Sequence, residues 1–236
     1  MQFRKKITWS VFVFVFLSLF LQSCAENKTD DSSDGEQQKV TEIVANETTF
    51  VEDAAGNKYP TVQIGEQVWL AEDLHTTVFD CADSVKVKFT NGLERGPGVK
   101  FYDATPRYAY YNNNKDTYTG IIYSYGAITS CQLCPEGYRI PTKADWETLV
   151  STLGGKMEAG KKLLKGGSSG FNAEMSGRID DYGSVLGDEY CFWWSTDLDA
   201  SSKRKAAFTF ESDYRGILRL IPQDARVGNY VRCVKE

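Results

Sequence analysis

The chain reads as an α+β domain of short antiparallel strands, two helices and long loops. From Thr48 onward the apolar residues mostly alternate, which is the period of half-buried strands. Only two stretches carry a helical stripe, both in the middle of the chain. The segments between are loop material, such as GGSSG at 166–170 and the glycine-bounded 183–187.

Phe50-Val51 and then Tyr59, Val62 and Ile64 flank the turn sequence Asp53-Ala54-Ala55-Gly56-Asn57, and QVWLA at 67–71 follows Gly65-Glu66. Three short strands with tight turns fit this stretch. A helix is predicted over 142–153: Thr142 can cap it, Asp145 sits at the third helical position, and Trp146, Leu149, Val150 and Leu153 form one apolar stripe before Gly154-Gly155. A second, over 157–164, turns Met157, Leu163 and Leu164 to the core and ends at Gly166-Gly167. Further strands are predicted at 192–195, 206–210, 217–221 and 230–234. No repeat of 20–50 residues is present, which excludes a solenoid or propeller.

The 236 residues are 42% hydrophobic and 25% charged with a formal net charge of −5, enough for one large domain or two small ones. The charge is uneven. Arg4, Lys5 and Lys6 precede any acid, residues 24–60 hold nine acids against three bases, and the rest is nearly neutral. No basic footprint for nucleic acid exists, and the single histidine, His75, excludes multi-histidine zinc sites.

Residues 1–6 are basic, and the apolar run at 7–21 falls short of the roughly 20 residues of a membrane span, so the start reads as an export signal. Leu21-Gln22-Ser23-Cys24 then resembles the lipobox of bacterial lipoproteins. That resemblance implies diacylglycerol on Cys24, cleavage before it and acylation of the new amino terminus, a stable membrane anchor; the alternative is a chance cysteine beside an ordinary signal. The expected organisation is a signal peptide at 1–23, an acidic tether at 24–47 and a folded domain at 48–236. Residues 25–38 contain no large apolar side chain and cannot build a core. A flexible tether of this length reaches on the order of 25 Å. Its Asp30, Asp31, Asp34 and Glu36 resemble the acidic signal that sends some Bacteroidota lipoproteins to the outer face of the outer membrane, the alternative being a solvated linker.

Five segments then agree in order with one family. They are DAAGNKYPTVQIGEQVWLAEDLHTT at 53–77; Tyr110-Tyr111-Asn112-Asn113-Asn114 leading to IYSYGA at 122–127; CPEGYRIPT at 134–142 with Asp145-Trp146 and Leu149; Phe192-Trp193-Trp194-Ser195-Thr196; and Tyr230-Val231-Arg232-Cys233-Val234. From 53 to its end the chain resembles the Fibrobacter succinogenes major paralogous domain of Bacteroidota lipoproteins. The resemblance implies a C-type-lectin-like fold, related to that of formylglycine-generating enzymes, and a disulfide between Cys134 and Cys233. Loop closure over about 100 residues is worth on the order of 4–5 kcal/mol in the chain-entropy model. The family usually has Asn where Asp73 stands and a long basic side chain where His75 stands. Cys81, Cys131 and Cys191 look like additions, and at least one of the three stays unpaired.

Cys131-Gln132-Leu133-Cys134 has the spacing of a redox motif or half a zinc site, but in an exported chain without a second such pair structural disulfides are expected. Adjacent tryptophans on a strand point to opposite faces, so of Trp193 and Trp194 one is expected in the core while the other can reach a groove. There, with Asp197 and Asp199, it suits sugar recognition; the alternative is that both are core. Tyr110, Tyr111 and Asn112, with Tyr108, form a second candidate ligand surface. Asp180-Asp181, Asp188-Glu189, Asp197 and Asp199 could offer oxygens to calcium, yet the signatures of sugar-binding C-type lectins are missing, so no metal or other cofactor is assigned. No catalytic residue is assigned either, and the cysteines do not map onto the reactive pair of formylglycine-generating enzymes. The expectation is a surface lipoprotein of the outer membrane, attached through Cys24, whose non-catalytic domain binds a glycan or an envelope protein. The alternatives are a structural envelope protein and a cysteine-based enzyme.

Overall fold

The computed structural model describes residues 49–81, 88–89, 105–110, 120–180, 185–186, 190–199, 204–211, 218–224 and 226–236. All of them fall in one unit, Asn46–Glu236. Cys24, the expected signal and the tether lie outside the described residues, as do Tyr111, Asn112, Asp181, Asp188 and Glu189.

The fold is α+β, with mostly antiparallel strands and three helices among the described residues. It opens with a meander: β1 (Phe50–Glu52), β2 (Lys58–Ile64) and β3 (Gln67–Leu70), in register Val51↔Tyr59 and Val62↔Trp69. The β1–β2 turn is built by Asp53. Its Oδ1 accepts from the Ala55 and Asn57 N–H groups at 2.8 and 3.0 Å, and its Oδ2 accepts from Asn57 Nδ2 and Tyr59 Oη at 2.9 and 2.7 Å. Gly56 takes φ +84°, a left-handed conformation that glycine adopts without a Cβ penalty.

Short strands follow: β4 (Asp80–Cys81), β5 (Lys88–Phe89), β6 (Arg107–Tyr110) and β7 (Ile121–Ser124). Ser124 caps α1 (Tyr125–Ser130), a helix the sequence reading missed because its six residues are too few to show a stripe. β8 (Cys131–Gln132) pairs with β4, and β9 (Tyr138–Arg139) leads into α2 (Lys143–Thr152). The predicted capping box is formed: Asp145 N–H donates to Thr142 Oγ1 at 3.2 Å and Thr142 N–H to Asp145 Oδ2 at 2.7 Å. Arg139 adds a fork to both oxygens of Asp145, at 2.6 and 3.0 Å. In α3 (Lys156–Leu163) the core-facing residues are Ala159 and Leu163. Met157, expected inside, is exposed: it stands two positions, just over half a helical turn, from buried Ala159 and so on the opposite face.

β10 (Arg178–Ile179), β11 (Val185–Leu186), β12 (Tyr190–Asp199), β13 (Arg204–Glu211), β14 (Leu218–Gln223), β15 (Gly228–Asn229) and β16 (Val234–Lys235) complete the chain. The sheets run β1-β2-β3-β16-β9, β11-β10-β15-β7-β6-β5, β12-β13-β14 and β4-β8. Where alternation predicts one strand over 230–234, the chain instead changes partners. Tyr230 exchanges hydrogen bonds with Phe192 and Trp194 of β12, Val231 accepts from Leu74, and Cys233 accepts from Leu70 of β3. No single ladder persists for this segment, yet all four residues of 230–233 are buried. Gly120 sits where it must be small: a Cβ there would lie 2.8 Å from Asp73 Cβ and 3.1 Å from the Tyr230 ring.

β12 lies between two apolar clusters. One holds Trp69, Trp146, Phe171 and Trp193, with Trp146 stacked on Trp193 at 5.7 Å and Trp69 against Trp146 at 4.8 Å. The other holds Tyr59, Tyr123, Trp194, Cys134 and Cys233.

Burial raises the Asp145 carboxyl, but Arg139 and Thr142 together outweigh it and hold it below the usual range. A carboxylate lowered on folding stabilises above its unfolded pKa, and that contribution disappears as pH falls through the folded value. Asp145→Asn is expected to cost about 1–2 kcal/mol at pH 7. By urea unfolding, the gap to the parent should narrow once pH drops below about 4.

Candidate functional site

Asp73 leaves the meander just after β3, and Arg232 arrives from the partner-changing segment beside Cys233. Both are buried, at 2% and 1% exposure. Asp73 Oδ1 accepts from Trp193 Nε1 at 2.7 Å and from Arg232 Nε at 2.8 Å, and Arg232 Nη2 is ion-paired to the same oxygen at 2.8 Å. Arg232 Nη1 donates to the Leu70 carbonyl at 3.3 Å and to that of Phe171, while the guanidinium lies 4.3 Å over the Phe171 ring. Burial pushes the Asp73 carboxyl up, with Arg232 and the Trp193 N–H pulling the other way.

Above this pair opens a cleft of about 500 Å³. Pro60, Ala71, Glu72 and His75 from the first part of the chain, and Lys165, Asn172 and Glu174 from its middle, line it together with Asp73 and Arg232. Lys165 is ion-paired to Glu174. Asn172 holds φ +55°, the only positive value among the described non-glycine residues. His75 packs on Tyr59 at 4.5 Å and its N–H donates to Tyr59 Oη at 3.1 Å. Burial and the Asp53 carboxylate push the Tyr59 hydroxyl far up, so it stays protonated and fixes the His75 backbone. A second cleft, of about 520 Å³, is lined by Glu52, Asp53, Asp80 and Glu136 among others. Its most buried carboxylate, Asp53, already accepts four hydrogen bonds. Among the described residues no group of three or more His, Cys, Asp or Glu side chains is placed to hold a metal ion.

The residues expected to bind a ligand do not gather here. Trp193 and Trp194 do point to opposite faces, but each face of β12 is covered, so both indoles are fully buried and neither offers a surface to a sugar. Trp194 Nε1 donates to the Tyr123 carbonyl at 2.8 Å. Asp197 caps a helix instead: its Oδ2 accepts from the Lys143 N–H at the start of α2 and from Ser195 Oγ at 3.0 Å. Asp199 stands opposite Arg204 in the β12–β13 ladder. Tyr110, half-buried in β6, packs with Tyr108 against the second cluster. The cleft was legible only indirectly. An arginine inside the apolar run Tyr230–Val234 demands a buried carboxylate, and Asp73 is the one that supplies it.

Cys134 pairs with Cys233, as the resemblance implied, and Cys81 with Cys131. The two cysteines of the CxxC thus go to different partners, which removes it as a redox pair or zinc half-site. Cys191 is the free cysteine among the described residues; it is buried, and burial raises its thiol well above the ordinary value. Such a thiol is a poor nucleophile. In the native protein Cys191 should escape alkylation by iodoacetamide, read by peptide mass mapping, and react only after unfolding in guanidinium; native modification would contradict its burial.

Removing Arg232 strands a buried carboxylate. Arg232→Met is expected to cost about 3–5 kcal/mol in urea unfolding. Asp73→Asn combined with it should cost clearly less than the two single changes summed, because the double variant leaves no buried charge unpaired.

No curated protein and no solved structure matches the chain. The family model of the Fibrobacter succinogenes major domain does, over residues 62–235. That span runs from β2 to β16 and includes Asp73, Arg232, both disulfides and all three helices. The chain therefore belongs to the Fibrobacter succinogenes major domain family.

Proposed function

We propose that the chain is a lipoprotein of the outer membrane of a Bacteroidota bacterium, held at the cell surface through Cys24 and an acidic tether, whose family domain binds a glycan or an envelope protein. The observation that carries the binding role is the cleft over Asp73 and Arg232, which sets several polar side chains around a floor fixed by the core. Polar groups on a rigid, concave floor are the general form of a small-ligand site. The anchor and surface display rest on the lipobox-like Leu21-Gln22-Ser23-Cys24 and the acids at 30–36. We read the fold as C-type-lectin-like; the Arg139–Asp145 helix entry and the Arg232-Cys233 segment, tied together by the Cys134–Cys233 disulfide, support this.

Cells fed a radiolabelled fatty acid should label the parent but not Cys24→Ala, and protease added to intact cells should remove the domain. Equal labelling of both proteins refutes the anchor, and full protection refutes surface display. On a glycan and envelope-protein array, the full chain in detergent is expected to bind, and Asn172→Ala or Glu72→Gln to lower the signal several-fold. Array binding that both variants leave intact places the ligand elsewhere.

A further inference from the structure

We propose that the cleft is built to seat a primary ammonium group on Asp73 Oδ2, which rests on the reading of the cleft as the binding site and names the chemistry it selects. The two hydrogen bonds to the Asp73 side chain, from Trp193 and Arg232, and the Arg232 Nη2 ion pair all converge on Oδ1. No donor among the described residues reaches Oδ2, although the residue is 98% buried and lines the cleft. A carboxylate oxygen that faces a cleft and takes no donor from the protein is an acceptor open to a ligand's N–H group.

The charge of the cleft decides what kind of donor. Its two cations are engaged: Arg232 by Asp73 and two carbonyls, Lys165 by Glu174. Of its three carboxylates, Glu72 has no ion pair among the described residues. Leaving His75 aside, the lining is one negative charge in excess, and that charge is on Glu72. The fit is therefore a cation that donates hydrogen bonds. A guanidinium presents a planar fork and needs two acceptors side by side, whereas one free oxygen suits the compact, rotatable donor of an ammonium. Pro60 and Ala71 give the carbon next to that nitrogen an apolar contact. Amino sugars and lysine side chains both carry this group.

Trp193 supplies the reporter, since its indole N–H donates to the other oxygen of the same carboxylate. The full chain in detergent micelles, with ¹⁵N-labelled tryptophan, is titrated with glucosamine and with lysine amide. Glucose, which has a hydroxyl in place of the amine, and tetramethylammonium, which has charge but no N–H, are the controls. At least one of the two amines is expected to shift the Trp193 indole resonance saturably, with an apparent affinity at least tenfold above both controls; the tighter amine identifies the source. Asp73→Asn also removes the partner of buried Arg232, so Glu72→Gln, outside that network, is the paired variant and should weaken the binding amine at least threefold. No saturable shift with either amine overturns the proposal, as does an equal response to tetramethylammonium or unchanged affinity in Glu72→Gln. An equal response to glucose overturns the ammonium while leaving the cleft as a site for hydroxyl ligands. Loss of array binding in Asn172→Ala tests the cleft itself, independently of any amine.

Discussion

One carboxylate oxygen holds together segments more than 150 residues apart. Asp73 Oδ1 gathers a tryptophan from β12 and an arginine from the closing segment, and that arginine in turn ties the carbonyls of Leu70 and Phe171. Desolvating either charge alone costs several kcal/mol, so the pair is tolerable only when every contact is made at once. Its formation therefore requires β3, β12, the loop after α3 and the end of the chain to be in place together. The same requirement explains the neighbours. Gly120 has no room for a side chain against Asp73, and Phe171 must lie flat beneath the guanidinium.

Much of the architecture is local enough to be read from the sequence. The opening meander follows from alternation and from an Asp-x-x-Gly-Asn turn whose aspartate binds its own loop. The start of α2 follows from Thr142 and Asp145, whose reciprocal bonds need only residues three apart. The resemblance extended this reach to one long-range contact, the Cys134–Cys233 disulfide.

The candidate site was less legible, for physical reasons. Period-two alternation shows that Trp193 and Trp194 diverge but not whether one side of the strand faces water; here α2 and α3 cover one side while the aromatic cluster around Tyr123 covers the other. Asp197 offers the same carboxylate to a sugar or to a helix N-terminus, and only the fold, which brings Lys143 to it, decides. Asp73 and Arg232 carry no motif of their own. Their pairing depends on the way residues 230–233 pass from one ladder to another, a path no periodicity encodes.

The divided CxxC has a consequence for how the molecule matures. Cys131 and Cys134 are separated by two residues, so in a collapsing chain they meet each other far sooner than they meet Cys81 or Cys233, 50 and 99 residues away. The native pairing is thus the kinetically disfavoured one, and Cys191 is a further thiol available for wrong bridges until the core closes over it. A first bond made between nearest neighbours has to be exchanged, through a mixed disulfide, on a timescale of seconds to hours. From a Cys131–Cys134 bond the native pairing is reached by thiol–disulfide exchange and not by oxidation alone.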